Sequence, residues 1–67
     1  MKYYINNVKY SYEHISNKDI IINGYLKVYS DNDKLYFEGP LINNKSIGFW
    51  DWPARNMKEY HIYTHNI

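Results

Sequence analysis

His61 and His65 are the one pair of side chains in this sequence with metal-ligand spacing. On a helix the two imidazoles would share a face, and on a strand positions 61, 63 and 65 would do so. There is no neighbouring glutamate of a metalloprotease motif and no cysteine. Surface histidines are therefore expected, and no metal ligands. Ser11, Ser16, Ser30 and Ser46 fall in turn or strand contexts without the glycines of a nucleophile elbow. The carboxylates are scattered singly, except Asp31 and Asp33, which flank Asn32 in a pattern that suits a hairpin turn. That cluster lacks the further oxygen ligands of a calcium loop. With three glycines in all, there is no phosphate-cradling loop. No catalytic residue and no cofactor is assigned, and an enzyme is not expected.

The aromatic residues carry more weight. Nine Tyr, two Trp and two Phe are more than the core of a 67-residue chain can hide. Tyr and Trp combine a large apolar surface with a polar tip, which is why they dominate binding hot spots. Their surplus has to be placed by the elements that carry them.

Ala occurs once and Leu three times, whereas Tyr, Ile, Val, Phe and Trp are plentiful, a composition suited to strands. Alternating stretches are separated by Asn, Asp and Gly clusters, the signature of hairpins. The clearest hairpin runs from Tyr25 to Glu38 with Ser30–Asp33 as its turn. Pairing Tyr29 with Lys34 sets Val28 against Leu35, Lys27 against Tyr36, Leu26 against Phe37 and Tyr25 against Glu38. One face is then Leu26, Val28, Leu35 and Phe37. The other bears Tyr25, Tyr29 and Tyr36 with Lys27 and Lys34, joined by Tyr4 and Lys9 from the N-terminal hairpin. Asn6-Asn7 makes a two-residue turn, because Asn tolerates positive φ. It pairs Ile5 with Val8, Tyr4 with Lys9 and Tyr3 with Tyr10. A third turn is expected at Asn23-Gly24, joining Ile20–Ile22 to Tyr25–Tyr29, with polar connectors at Glu13–Lys18 and Pro40–Ser46. Toward the end, a turn at Pro53–Asn56 followed by a strand over Met57–Thr64 is preferred to a helix capped by Asp51. The expected fold is one small all-β domain over residues 1–67. It is an antiparallel meander of five to seven short strands, with one short helical turn near 52–57. Leu26, Val28, Leu35, Phe37 and at least one of Trp50 and Trp52 form its core.

Eight basic residues against seven acidic ones give a formal charge of +1, so there is no general pull toward nucleic acid or an anionic membrane. The longest aliphatic run is Ile20-Ile21-Ile22, far short of the about 20 apolar residues of a spanning helix. Without cysteine, neither disulfides nor thiolate sites assist a small core. Tyr, Asn, Ile and Lys together make 34 of the 67 residues, and their codons point to an AT-rich gene.

Shifting the chain by 25 aligns Tyr4–Glu13 with Tyr29–Glu38, and a further 24 places Gly24 on Gly48, Asn32 on Asn56, Lys34 on Lys58 and Tyr36 on Tyr60. A period of this length indicates stacked supersecondary units. The segment Asn23-Gly24 … Val28-Tyr29 … Lys34-Leu35-Tyr36-Phe37-Glu38-Gly39 … Asn43-Asn44-Lys45 … Gly48-Phe49-Trp50 resembles MORN repeats, in the variant found in bacterial antitoxin-like proteins. The resemblance covers about one and a half units between Asn23 and Tyr63. Asp33 stands where the hairpin glycine is expected, and Asn44 replaces the glycine before Lys45. The resemblance implies a single-layer meander with aromatic ladders that acts as a binding platform.

The functional expectation is a small non-enzymatic protein that binds a host or cognate protein and blocks it. A phage-encoded anti-defence or host-takeover protein, or an antitoxin or immunity protein, in the cytoplasm of a bacterial host would have these features. The expected contact residues are Tyr25, Lys27, Tyr29, Lys34, Tyr36, Trp50, Trp52 and Arg55. A homodimer is expected, because a thin sheet leaves a face or an edge uncovered. The alternative is single-stranded nucleic-acid binding by Tyr and Trp stacking with Lys contacts, against which the small net charge argues.

Overall fold

The computed structural model describes residues 1–62. Among these residues seven strands form one antiparallel sheet: β1 (Lys2–Ile5), β2 (Val8–Tyr10), β3 (Gly24–Tyr29), β4 (Leu35–Ile42), β5 (Lys45–Ser46), β6 (Gly48–Trp52) and β7 (Met57–His61). Their order is β2-β1-β3-β4-β6-β7, with the short β5 paired to the end of β4. A one-turn-and-a-half helix, α1 (Tyr12–Ser16), follows β2, and a 3-10 turn at Pro53–Arg55 joins β6 to β7. The meander and the helical turn after Trp52 agree with the sequence reading. The helix in the Glu13–Lys18 region was not anticipated; Ser11 starts it by accepting a hydrogen bond from the His14 amide.

Left-handed asparagines set the two tightest turns. Asn6 and Asn7 have φ of 49° and 67°, and Asn43 and Asn44 repeat this with 50° and 66°. Two successive positive-φ residues suit the right-handed twist of a two-residue hairpin. The N-terminal hairpin accordingly has the expected register, Ile5 against Val8 and Tyr3 against Tyr10. The segment expected as a polar connector at Pro40–Ser46 is instead the end of β4, a turn and β5. Asp33 and Asn44 both take positive φ, 62° and 66°.

The expected turn at Asn23-Gly24 does not form. Residues 17–23 are an irregular strap after α1, and β3 begins at Gly24. The strap replaces a strand because side chains, not a ladder, hold it. The Ile22 amide donates to Asn44 Oδ1 (2.6 Å), Asn44 Nδ2 donates to the Ile20 carbonyl (2.9 Å) and the Asn43 amide donates to Asn23 Oδ1 (2.8 Å). The strap leads the chain from β2 past β1 to β3 and drops Ile20 and Ile22 onto the sheet.

The core lies between that strap, α1 and one face of the sheet. Ile5, Ile22, Leu26, Val28 and Trp50 are buried, with Tyr3, Tyr10, Ile15, Ile20, Phe37, Leu41 and Trp52 half-buried around them. Of the expected core residues, Leu26, Val28 and Trp50 are buried, Val28 completely, while Leu35 and Phe37 are only half-buried. Trp50 lies directly over Gly39: a Cβ at that glycine would fall 2.1 Å from the indole ring. Phe37 stacks on Trp52 with centroids 4.3 Å apart.

The β3–β4 register differs from the expected one. Tyr29 faces Leu35, Val28 faces Phe37, Lys27 faces Glu38, Leu26 faces Gly39 and Tyr25 faces Pro40, with an irregularity between Val28 and Tyr29. The displacement is one residue at the turn and two beyond it, because Tyr36 is an extra residue on β4. A two-residue displacement preserves the faces, so Leu26, Val28 and Phe37 remain on the core side. The one-residue displacement at the turn sets Leu35 opposite Tyr29, so Leu35 leaves the aliphatic face expected for it and lines the hairpin end with Lys34, Tyr36 and Pro53. It also means that this hairpin is not the register equivalent of the N-terminal one under a 25-residue shift.

Candidate docking face

The side of the sheet opposite the strap is covered by no element among the described residues. Its central feature follows from the registers of five successive strand pairs. Lys9 of β2 faces Tyr4 of β1, Tyr4 faces Lys27 of β3, Lys27 faces Glu38 of β4, Glu38 faces Asp51 of β6, and Asp51 faces Lys58 of β7. Residues directly opposite in a ladder share a face, so these six side chains form one row across the sheet. Two carboxylates, facing each other across β4 and β6, are flanked on each side by a lysine.

Aromatic groups border the row. On one side Tyr4 and Tyr29 meet edge to face at 5.6 Å. With Asn7, Lys27 and Asp33 they line a hollow of about 270 Å³. On the other side Tyr25 joins Phe49, Asp51 and Lys58 around a hollow of about 300 Å³. Phe49 and Tyr60 face each other on β6 and β7 with rings 4.5 Å apart, and are 72% and 60% exposed. Such exposure of a ring pair on a strand is an unspent apolar surface. The Tyr25 hydroxyl is held above its ordinary pKa by partial burial, then by the negative charge of Glu38 and its hydrogen bond to that carboxylate, with a smaller contribution from Asp51.

The eight expected contact residues divide into three groups. Tyr25, Lys27 and Tyr29 lie on this face, as expected. Tyr36 is not opposite Lys27: the extra residue in β4 moves Glu38 into that place, and Tyr36 instead lines a groove of about 410 Å³ with Met1, Phe37, Trp52, Ala54 and Arg55 at the end of the sheet. Arg55 lies 5.4 Å from the Trp52 ring centre there. Lys34 is likewise at the hairpin end, beside Tyr36, Pro53 and Ala54. Trp50 is 4% exposed, with its indole N–H donating to the Ile47 carbonyl (3.2 Å), so it is core and not contact surface. The sequence reading puts Glu38 on this face, but opposite Tyr25, where the structure places Pro40. It does not assign Phe49, Asp51, Lys58 and Tyr60 to the face, although the alternation of Phe49 and Asp51 with Trp50 and Trp52 is the signal for it.

His61 lies on β7 and His65 is outside the described residues. Among the described residues no three His, Asp or Glu side chains are grouped to hold a metal ion. No helix among them is long and apolar enough to cross a membrane. Comparison with protein-family models, with curated proteins and with solved structures gives no match.

Proposed function

We propose that this protein is a non-enzymatic binding module that docks a partner protein on the open sheet face and blocks it. The observation that carries this reading is the uncovered side of the sheet, where Tyr4, Tyr25, Tyr29, Phe49 and Tyr60 flank a row of mixed charge. Tyr anchors efficiently because it brings a large contact area with few rotors to freeze. The charged row supplies orientation and on-rate. An inhibitor of a host system, or an antitoxin or immunity protein as the MORN-like pattern implies, would act by occupying the partner's working surface in this way. Nucleic-acid stacking fits less well, since Lys27 and Lys58 each face a carboxylate across the ladder and leave little basic surface.

The test is capture from host lysate by the tagged chain, with and without nuclease, using Tyr25→Ala and Tyr29→Ala. Truncating a true anchor costs about 2 kcal/mol or more of binding. Both side chains lie outside the buried core, so the thermal transition should be retained while nuclease-resistant capture falls. Undiminished capture by both variants would move the site to the Tyr36–Trp52–Arg55 groove.

A further inference from the structure

The charged row has a property that its use by a foreign partner does not require: it is complementary to itself. We infer that a second copy of this chain occupies the open face in the free protein, the two sheets packing face to face about a two-fold axis parallel to the strands and midway between β3 and β4. The inference rests on the open face being the docking surface. A two-fold interface uses the same patch twice, so each residue must suit its symmetry mate. That axis passes through the middle of the six-strand row and reverses it. Lys27 then meets Glu38 of the second copy and Glu38 meets Lys27, while the Tyr4 hydroxyl meets Asp51. Only Lys9 and Lys58 are set like on like, at the rim where water solvates them. Two residues along the same strands, Tyr25 is placed over Pro40 of the second copy, ring on ring. The other two-fold that keeps all six strands in contact runs along the row. It lays Lys27 on Lys27, Glu38 on Glu38 and Asp51 on Asp51, so charge selects the first arrangement.

The dimensions agree. The molecule is a slab of 43 × 29 × 16 Å, and its broad side exceeds the about 800 Å² per partner of a standard interface. Paired sheets align within about 30° of each other, which keeps the facing rows in register near the axis. A dimer of this kind gives Phe49 and the two carboxylates a covering that the single chain lacks, and a foreign partner would compete with the second copy for the same side chains.

Charge reversal separates this arrangement from a merely intramolecular Lys27–Glu38 pair. Lys27→Glu carries two acidic groups at the axis and Glu38→Lys two basic ones. Each variant alone should sediment as a monomer, with dimerisation at least tenfold weaker than the parent. An equimolar mixture should recover a dimer holding one chain of each, identified by a mass tag on one of them. Dilution of the isotope-labelled parent gives a second readout that needs no variant: amide shifts should concentrate on Tyr4, Tyr25, Lys27, Glu38 and Asp51. A parent that is monomeric at all concentrations, single variants that dimerise like the parent, a mixture that stays monomeric, or dilution shifts confined to the β7 edge or α1 would each overturn the proposal. A monomeric parent that still loses capture on Tyr25→Ala would remove the second copy and keep the docking face. A dimer whose partner capture is insensitive to Tyr25→Ala would do the reverse.

Discussion

Gly39 shows how one missing side chain organises this molecule. It lies on the core side of β4 opposite Leu26, and the Trp50 indole occupies the volume its side chain would fill. Gly39→Ala should therefore expel Trp50 and destabilise the fold by at least the about 1–3 kcal/mol typical of an overpacked core, read as a lower urea midpoint. Trp50→Ala should cost about 3–5 kcal/mol, and Phe37→Ala, at a half-buried position, clearly less. Tyr25 is the residue whose ionisation reports the face. Its pKa is raised in the folded state, so its stabilising contribution is complete below about pH 10 and is lost as pH rises through the folded value. In a tyrosinate absorbance titration the component missing from Tyr25→Phe should be a late one. Glu38→Gln should bring it to lower pH by removing the negative charge beside the hydroxyl.

At the scale of elements, the strap is held by a turn remote in sequence. The Asn44 side chain accepts from the Ile22 amide and donates to the Ile20 carbonyl, and its own backbone amide donates to the Ile22 carbonyl at 3.0 Å. Asn44→Gly keeps the positive φ and removes only the side-chain bonds. It should cost about 1–3 kcal/mol through the part-buried Ile22 amide left without a partner. Asn44→Ala adds the strain of a left-handed alanine, about 1–2 kcal/mol more. Hydrogen exchange at Ile22 should rise in both variants before that of β3. The start of β1 is anchored separately, by Lys2 to Asp33 (2.5 Å) and by the terminal ammonium to Asp31 (2.9 Å). These exposed pairs position the β3–β4 turn and add little stability.

For the whole molecule, one layer of sheet with a partial cover on one side is a thin design. A chain near 60 residues hides only about 60% of its unfolded surface. Association through the open face would add burial in the folded state alone, so the melting temperature should climb with protein concentration. Calorimetry over a hundredfold concentration range checks this, and a Tm independent of concentration in the parent would count against the dimer. Lys27→Glu, if monomeric, should show no such climb.

Strand composition, the Asn-Asn turn at residues 6–7 and the alternation of Leu26 and Val28 with Tyr25, Lys27 and Tyr29 determined the antiparallel meander and which side of β3 faces the core. They did so because side-chain alternation and turn chirality are local properties, written within a few residues of one another. The turn before β7 was legible for the same reason, from Pro53 and Asn56. What only the tertiary structure decided was non-local. Beyond the extra residue at Tyr36 the ladder is displaced by two and Phe37 stays on the core side, so the apolar pattern could not distinguish Tyr36 from Glu38 as the neighbour of Lys27. The strap over residues 17–23 reads as a strand by its isoleucines, but the Asn43–Asn44 turn 20 residues on meets its backbone hydrogen bonds. The charged row needs the register of five strand pairs at once, and each register depends on packing that a single stretch of sequence does not contain. The face was therefore visible in the residues as an excess of tyrosine, and became a surface with a definite charge order only when the sheet set those strands side by side.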